Sequence, residues 1–108
     1  MKYYQQGDVL LKKISQLPDG AKVKTGRDAY VVQEGESTGH AHRFPEGGDG
    51  GNVTLYTVGN VTYVQVREAP APISHEEHNT IQIAPGLYEI DLVREYDYNR
   101  NEVRRVVD

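Results

Sequence analysis

Apolar and polar residues alternate over short runs of this chain, and turn-forming residues separate the runs. An amphipathic helix requires about 10 to 12 uninterrupted residues with apolar positions three or four residues apart. No stretch free of Gly and Pro has this spacing. The runs instead have the length and the content of β-branched and aromatic residues that are typical of β-strands. They are Asp8 to Ile14, Ala21 to Thr25, Ala29 to Glu34, His40 to Phe44, Val53 to Val58, Val61 to Val66, Thr80 to Ile83, Leu87 to Glu95 and Glu102 to Val107.

These runs predict an all-β protein of about eight or nine short antiparallel strands. A chain of 108 residues can bury one modest core, so we expect a single domain over residues 1–108 that folds as a small β-barrel or sandwich. Gly59-Asn60 is the clearest hairpin signal, because Gly supplies the positive φ that a two-residue turn requires. Pro70 and Pro72 predict a stiff, extended linker before His75, since each Pro fixes φ and restricts the residue before it.

Composition narrows the range of functions. With 12 Lys and Arg against 16 Asp and Glu, the formal net charge is −4, so long-range electrostatic attraction to nucleic acid or anionic lipid is not expected. No apolar run approaches the roughly 20 residues of a membrane span, and no signal peptide is recognisable at the N-terminus. We therefore expect a cytoplasmic protein. Because the chain contains no cysteine, any metal chemistry must use histidine and carboxylate ligands.

All four histidines fall in two clusters, Gly39-His40-Ala41-His42 and His75-Glu76-Glu77-His78. On a strand, His40 and His42 project from one face about 6 to 7 Å apart, which allows both imidazoles to approach one ion. His75 and His78 converge only if their segment curls into a turn. The two clusters together can supply three or four ligands to a metal ion.

Such a site suits one divalent ion, which could be Zn, Fe, Mn, Ni or Cu, because imidazole is a ligand common to all of them. Four histidine ligands would make a closed, structural site, whereas three ligands and a water would make an open site capable of catalysis. In an enzyme, Glu76 or Glu77 would act as the general base or orient an imidazole. Hydrolysis and oxygen chemistry are both open, and the sequence does not decide whether the protein is an enzyme.

The segment from His40 to Glu46 resembles the first motif of the cupin family, in which two His one residue apart are followed by a Glu. In cupins these three residues bind a metal ion on the inner face of a β-barrel. The resemblance implies a cupin-like barrel with His40, His42 and Glu46 as metal ligands. The second cupin motif, a Pro-x-Gly before a single His, is absent because no histidine follows Pro85-Gly86.

The chain as a whole is similar to a group of short bacterial and phage proteins that have an N-terminal Gly-Asp-Val strand, a Gly-His-x-His segment and a late His-Glu-Glu-His. That similarity implies no activity. The alternative function is a non-catalytic binding or adaptor module with structural or incidental histidines. Arg94, Arg100, Arg104 and Arg105 support it weakly, because acidic residues alternate with them as on a solvated surface. A small-molecule substrate and a homodimer remain open, whereas nucleic acid and membrane partners are disfavoured.

Overall fold

A computed structural model describes residues 3–26, 29–34, 41–45 and 51–92 of the chain. In these ranges the protein consists of strands and loops without a helix, which confirms the all-β prediction. The strands are β1 (Tyr3–Gln6), β2 (Val9–Ile14), β3 (Lys22–Val23), β4 (Val31–Glu34), β5 (Ala41–Arg43), β6 (Val53–Val58), β7 (Val61–Val66), β8 (Ala71–Ile73), β9 (Ile81–Ile83) and β10 (Gly86–Leu92).

The strands form one large antiparallel sheet and two antiparallel ribbons. The large sheet has six strands in the order β1-β2-β10-β7-β6-β3, and the ribbons are β4-β5 and β8-β9. Among the described residues, β1 and β3 lie at opposite edges and no strand pairing joins them, so the prediction of a closed barrel is wrong. The cupin-like arrangement is likewise not confirmed.

The two ribbons are connected to each other through a short backbone bridge. The amide of Arg43 donates to the carbonyl of Ser74, and the amide of Ser74 donates to the carbonyl of Arg43, each over 2.9 Å. One apolar core joins these ribbons to the large sheet. Its members are Val9, Leu11, Val53, Leu55, Val64, Val66, Tyr88 and Ile90 from the sheet, with Val32, Phe44, Ala71, Ile73 and Ile83 from the ribbons and their flanks.

Two hairpins have two-residue turns whose first residue is a glycine with positive φ. Val58 pairs with Val61 around Gly59-Asn60, which confirms the predicted hairpin, and Gly59 has a φ of 59°. Gln6 pairs with Val9 around Gly7-Asp8, and Gly7 has a φ of 60°. The prediction of the strands missed β1, because its sequence Tyr-Tyr-Gln-Gln has little apolar character.

The second missed strand is β8, which occupies part of the predicted proline linker. Pro72 lies opposite Gln82 in the β8-β9 ribbon, and Pro is tolerated there because a ribbon has edges on which no amide donor is required. The predicted strand Glu102 to Val107 lies outside the described residues. In the described part of the chain, no helix is long and apolar enough to cross a membrane.

Leu11→Ala tests the position of the core. The Leu11 side chain is fully buried, so its truncation is expected to lower the free energy of unfolding by about 2 to 5 kcal/mol. Leu92 is 36% exposed, and Leu92→Ala is the control, with an expected change of about 0.5 kcal/mol or less. Urea unfolding monitored by tyrosine fluorescence measures both, and equal losses would contradict the described core.

Candidate metal centre

His42 is a polar side chain in the interior of the protein. It lies on β5 with 1% of its surface exposed, and Phe44, two residues further along, is also 1% exposed. Alternate residues of an extended chain point to the same side, so the apolar Phe44 and the imidazole of His42 enter the same interior. A buried imidazole is costly unless its nitrogen atoms have partners.

Gln6 supplies one of these partners and determines which nitrogen of His42 carries the proton. The Nε2 group of Gln6 donates to the carbonyls of Ile73 (3.0 Å) and Asn79 (2.8 Å), which leaves Oε1 facing Nδ1 of His42 at 2.8 Å. Because a carboxamide oxygen only accepts, Nδ1 must donate and therefore bears the hydrogen. In the neutral ring, the lone pair is then on Nε2.

The Nε2 atom of His42 faces a carboxylate. Oδ1 of Asp8, in the turn between β1 and β2, lies 3.4 Å from it. The rings of His75 and His78 complete the surroundings, with centroids 4.3 Å and 5.9 Å from that of His42 and 4.7 Å from each other. We call His42, His75 and His78 the histidine cluster.

The electrostatic surroundings keep His42 neutral. Its pKa is lowered from 6.5 to about 4, chiefly by burial and next by the nearby His75, while the Asp8 carboxylate acts in the opposite direction and His78 lowers it further. At neutral pH the lone pair of Nε2 therefore faces a carboxylate oxygen without a proton between them. Two electron-rich atoms in this position attract a cation.

Gly7 makes room for His78. A Cβ atom at Gly7 would lie only 2.5 Å from Nε2 of His78, and the φ of +60° is one that other residues rarely adopt. The absence of a side chain in the β1-β2 turn thus lets the His78 ring pack against the backbone beside Asp8.

Glu76 connects the loop that carries His75 and His78 to β5. One carboxylate oxygen accepts from the amide of Ala41 and the other from the guanidinium of Arg43, both at 2.9 Å. The Arg43 hydrogen bond is the main cause of a pKa lowered to about 2, with the Ala41 amide next. A carboxylate with this pKa is a weak base. The assignment of Glu76 as a general base stays a prediction, and these contacts give it a role in positioning the loop.

The fold brings three of the predicted ligands together and leaves two without a described position. His42, His75 and His78 are adjacent, whereas His40 and Glu46 lie outside the described residues. Asp8 and Gln6 were missed by the sequence analysis, although Gly7-Asp8, which lies between β1 and β2, is a dipeptide typical of hairpin turns. As they stand, no three His, Asp or Glu side chains among the described residues are arranged to hold an ion, so ion binding requires rotation of the rings.

Glu77, the second predicted base, contributes a backbone contact. Its amide donates to Nδ1 of His75 over 3.0 Å. This bond spans two residues and closes a small turn, which is the curl that brings His75 and His78 to the same side of their loop. The catalytic assignment of the Glu77 side chain stays a prediction.

Comparison with known proteins gives a family but no activity. The model of a family described as a domain of unknown function, DUF8820, matches residues 5–92. No curated protein and no solved structure matches the chain. The matched range includes Gln6, Asp8 and the histidine cluster.

Gly7→Ala tests the contact with His78, and Gly59→Ala is its matched control. Both glycines have a φ near +60°, but nothing lies within 4 Å of a Cβ built at Gly59. Both variants should lose about 1 to 2 kcal/mol of stability from backbone strain. Gly7→Ala should lose additional stability, because its Cβ would collide with the His78 ring. It alone should also shift the ring resonances of His78 in a ¹H–¹⁵N spectrum. Unmoved His78 resonances would contradict the close packing.

The pKa of His42 predicts how the stability of metal-free protein depends on pH. Because the pKa of about 4 in the folded state lies below the ordinary value of 6.5, the unfolded chain binds more protons between these pH values, and stability falls as pH falls from 6.5 to 4. The loss is expected to reach about 3 kcal/mol at most. Urea unfolding at a series of pH values measures it.

His42→Asn is the control for the pH series, since it removes the titrating ring. Glu76 also titrates differently in the two states, with a pKa lowered from 4.5 to about 2, but its stabilising effect is lost only as pH falls below about 4.5. The decline between pH 6.5 and 4.5 should therefore be smaller in His42→Asn. An unchanged decline in this variant would contradict the assignment to His42.

Proposed function

We propose that this chain, which belongs to the DUF8820 family, binds one divalent metal ion at the histidine cluster. The observation that carries the proposal is the state of His42. Its ring is buried and neutral, with Nδ1 bonded to Gln6 and Nε2 lying 3.4 Å from Oδ1 of Asp8. Neutral imidazole is the form of histidine that binds metals.

The partner of Nδ1 supports the same conclusion. Histidine ligands in metal sites almost always donate their second ring N–H to an oxygen atom, which fixes the tautomer and the orientation of the ring. Gln6 provides this oxygen, and its two hydrogen bonds to backbone carbonyls prevent the carboxamide from turning over. His42 is therefore oriented before any ion arrives.

The spacing of the groups also suits one ion. Two ligand atoms about 2.0 to 2.2 Å from a tetrahedral ion lie about 3.3 to 3.6 Å from each other, and Nε2 of His42 lies 3.4 Å from Oδ1 of Asp8. Imidazoles bound to such an ion would have ring centroids about 5 Å apart, and the three distances in the cluster are 4.3, 4.7 and 5.9 Å. Rotation of the half-buried ring of His75 and the exposed ring of His78 would complete the site.

The donor types favour borderline divalent ions such as Zn, Fe, Mn, Ni or Cu. The resemblance to cupins implies that His42 is a metal ligand with an inward-facing imidazole, and this supports the proposal. Hydrolysis at the ion would need a base, and Glu76 is already paired with Arg43. Metal binding is therefore the function that these groups support.

His42→Ala tests the proposal. Protein purified without a histidine tag should contain about one equivalent of metal by elemental analysis after exposure to Zn²⁺ and removal of unbound ion, and His42→Ala should contain none. Free metal at a hundredfold excess over Kd should add about 2.7 kcal/mol to the free energy of unfolding. The melting temperature should rise by about 4 to 8 °C per kcal/mol and return to its starting value with chelator.

Phe44→Leu is the control, because it disturbs the same interior without removing a candidate ligand. It should melt at a lower temperature than the native protein and still bind one equivalent of metal. A full equivalent of metal in His42→Ala would show that the site is elsewhere. Absence of metal in the native protein, with an unchanged melt, would favour the alternative of a binding or adaptor module with structural histidines.

A further inference from the structure

We infer that Asp8, His42 and His78 bind the ion while His75 stays outside the coordination sphere, so that the described residues leave one position of the ion open to an exchangeable ligand. The inference rests on the proposed metal binding and specifies which groups take part in it. It reduces the ligands among the described residues to two imidazoles and one carboxylate.

Asp8 is placed to act as the anionic ligand. The two-residue turn of Gly7 and Asp8 is held by the pairing of Gln6 with Val9, and Oδ1 of Asp8 lies 3.4 Å from Nε2 of His42. A carboxylate in this position balances part of the charge of a divalent ion beside a buried ring. Its side chain is 52% exposed, so the ion would lie between the interior and the solvent.

His78 lies next to the same turn. Its ring packs against Gly7, where any side chain would collide with it, and it is stacked at 14° to the ring of His42. His78 is itself exposed. It can therefore turn a ring nitrogen toward the space between His42 and Asp8 without crossing the core.

His75 has a hydrogen bond that opposes coordination. Its Nδ1 accepts from the amide of Glu77, so the proton of the neutral ring is on Nε2, which then has no lone pair for a metal. Coordination through Nε2 would move the proton to Nδ1 and place it against the Glu77 amide hydrogen. Coordination through Nδ1 would break the same hydrogen bond. Either mode of coordination by His75 would lose the hydrogen bond from the Glu77 amide. Coordination by Asp8 and His78 does not require the loss of this bond.

Among the described residues, these three ligands on a partly exposed ion leave room for a further one. The groups that can fill it are water or a small molecule with an anionic oxygen or nitrogen donor. Azide is a suitable probe because it is small and anionic, and because its binding changes the visible absorption of Co²⁺.

The test is a titration of the tag-free protein with Co²⁺, followed by visible absorption, in the native chain and two variants. His75→Asn keeps an acceptor for the Glu77 amide, since Asn accepts from the residue two positions ahead in the same way. We expect its Kd for Co²⁺ to stay within about threefold of the native value. Asp8→Asn keeps the size and the turn preference of the residue but removes the charge, and its Kd should rise by at least about tenfold.

Azide added to the Co²⁺ protein should change the absorption spectrum in both the native chain and His75→Asn. A tenfold or larger loss of affinity in His75→Asn, an unchanged affinity in Asp8→Asn, or a spectrum insensitive to azide would each overturn the inference while leaving metal binding intact. No Co²⁺ binding by the native chain would overturn the proposed function as well. Circular dichroism of each variant confirms that it is folded before the titration.

Discussion

The hydrogen bond between Gln6 and His42 is the interaction on which the candidate site depends. The carboxamide of Gln6 makes three bonds, to the imidazole of His42 and to the carbonyls of Ile73 and Asn79. One side chain of the edge strand β1 thereby ties together β5, the end of β8 and the loop after it. Because each of its groups has a fixed partner, the tautomer of His42 is determined by the fold.

Two further contacts bring the loop of His75 and His78 to this ring. The Glu76 carboxylate binds Arg43 and the Ala41 amide on either side of His42 in the sequence, and the bare backbone of Gly7 receives the His78 ring. The anchors lie on β5 and on the β1-β2 turn, which belong to different sheets. The cluster therefore exists only when the large sheet and the ribbons are packed together.

The groups around His42 have opposite effects on its protonation. Burial and two neighbouring imidazoles disfavour a proton on His42, while Asp8 favours one. The proposed divalent cation would satisfy both, because it would accept the lone pair of the neutral ring and balance the charge of the carboxylate. The fold thus keeps the His42 ring uncharged at neutral pH, and Glu76, whose charge is already paired with Arg43, holds the loop in place.

Sequence alone determined two local features, the all-β class and the hairpin at Gly59-Asn60, and it singled out histidine as the candidate metal ligand. These follow from periodicity, turn preference and composition, which act within a few residues. Only the tertiary structure decided that the sheet is open, that β1 is a strand, and that Asp8 and Gln6 face His42. Gln6 is 36 residues away from His42 in the chain, and no local pattern encodes a contact that arises when separate strands pack on one core.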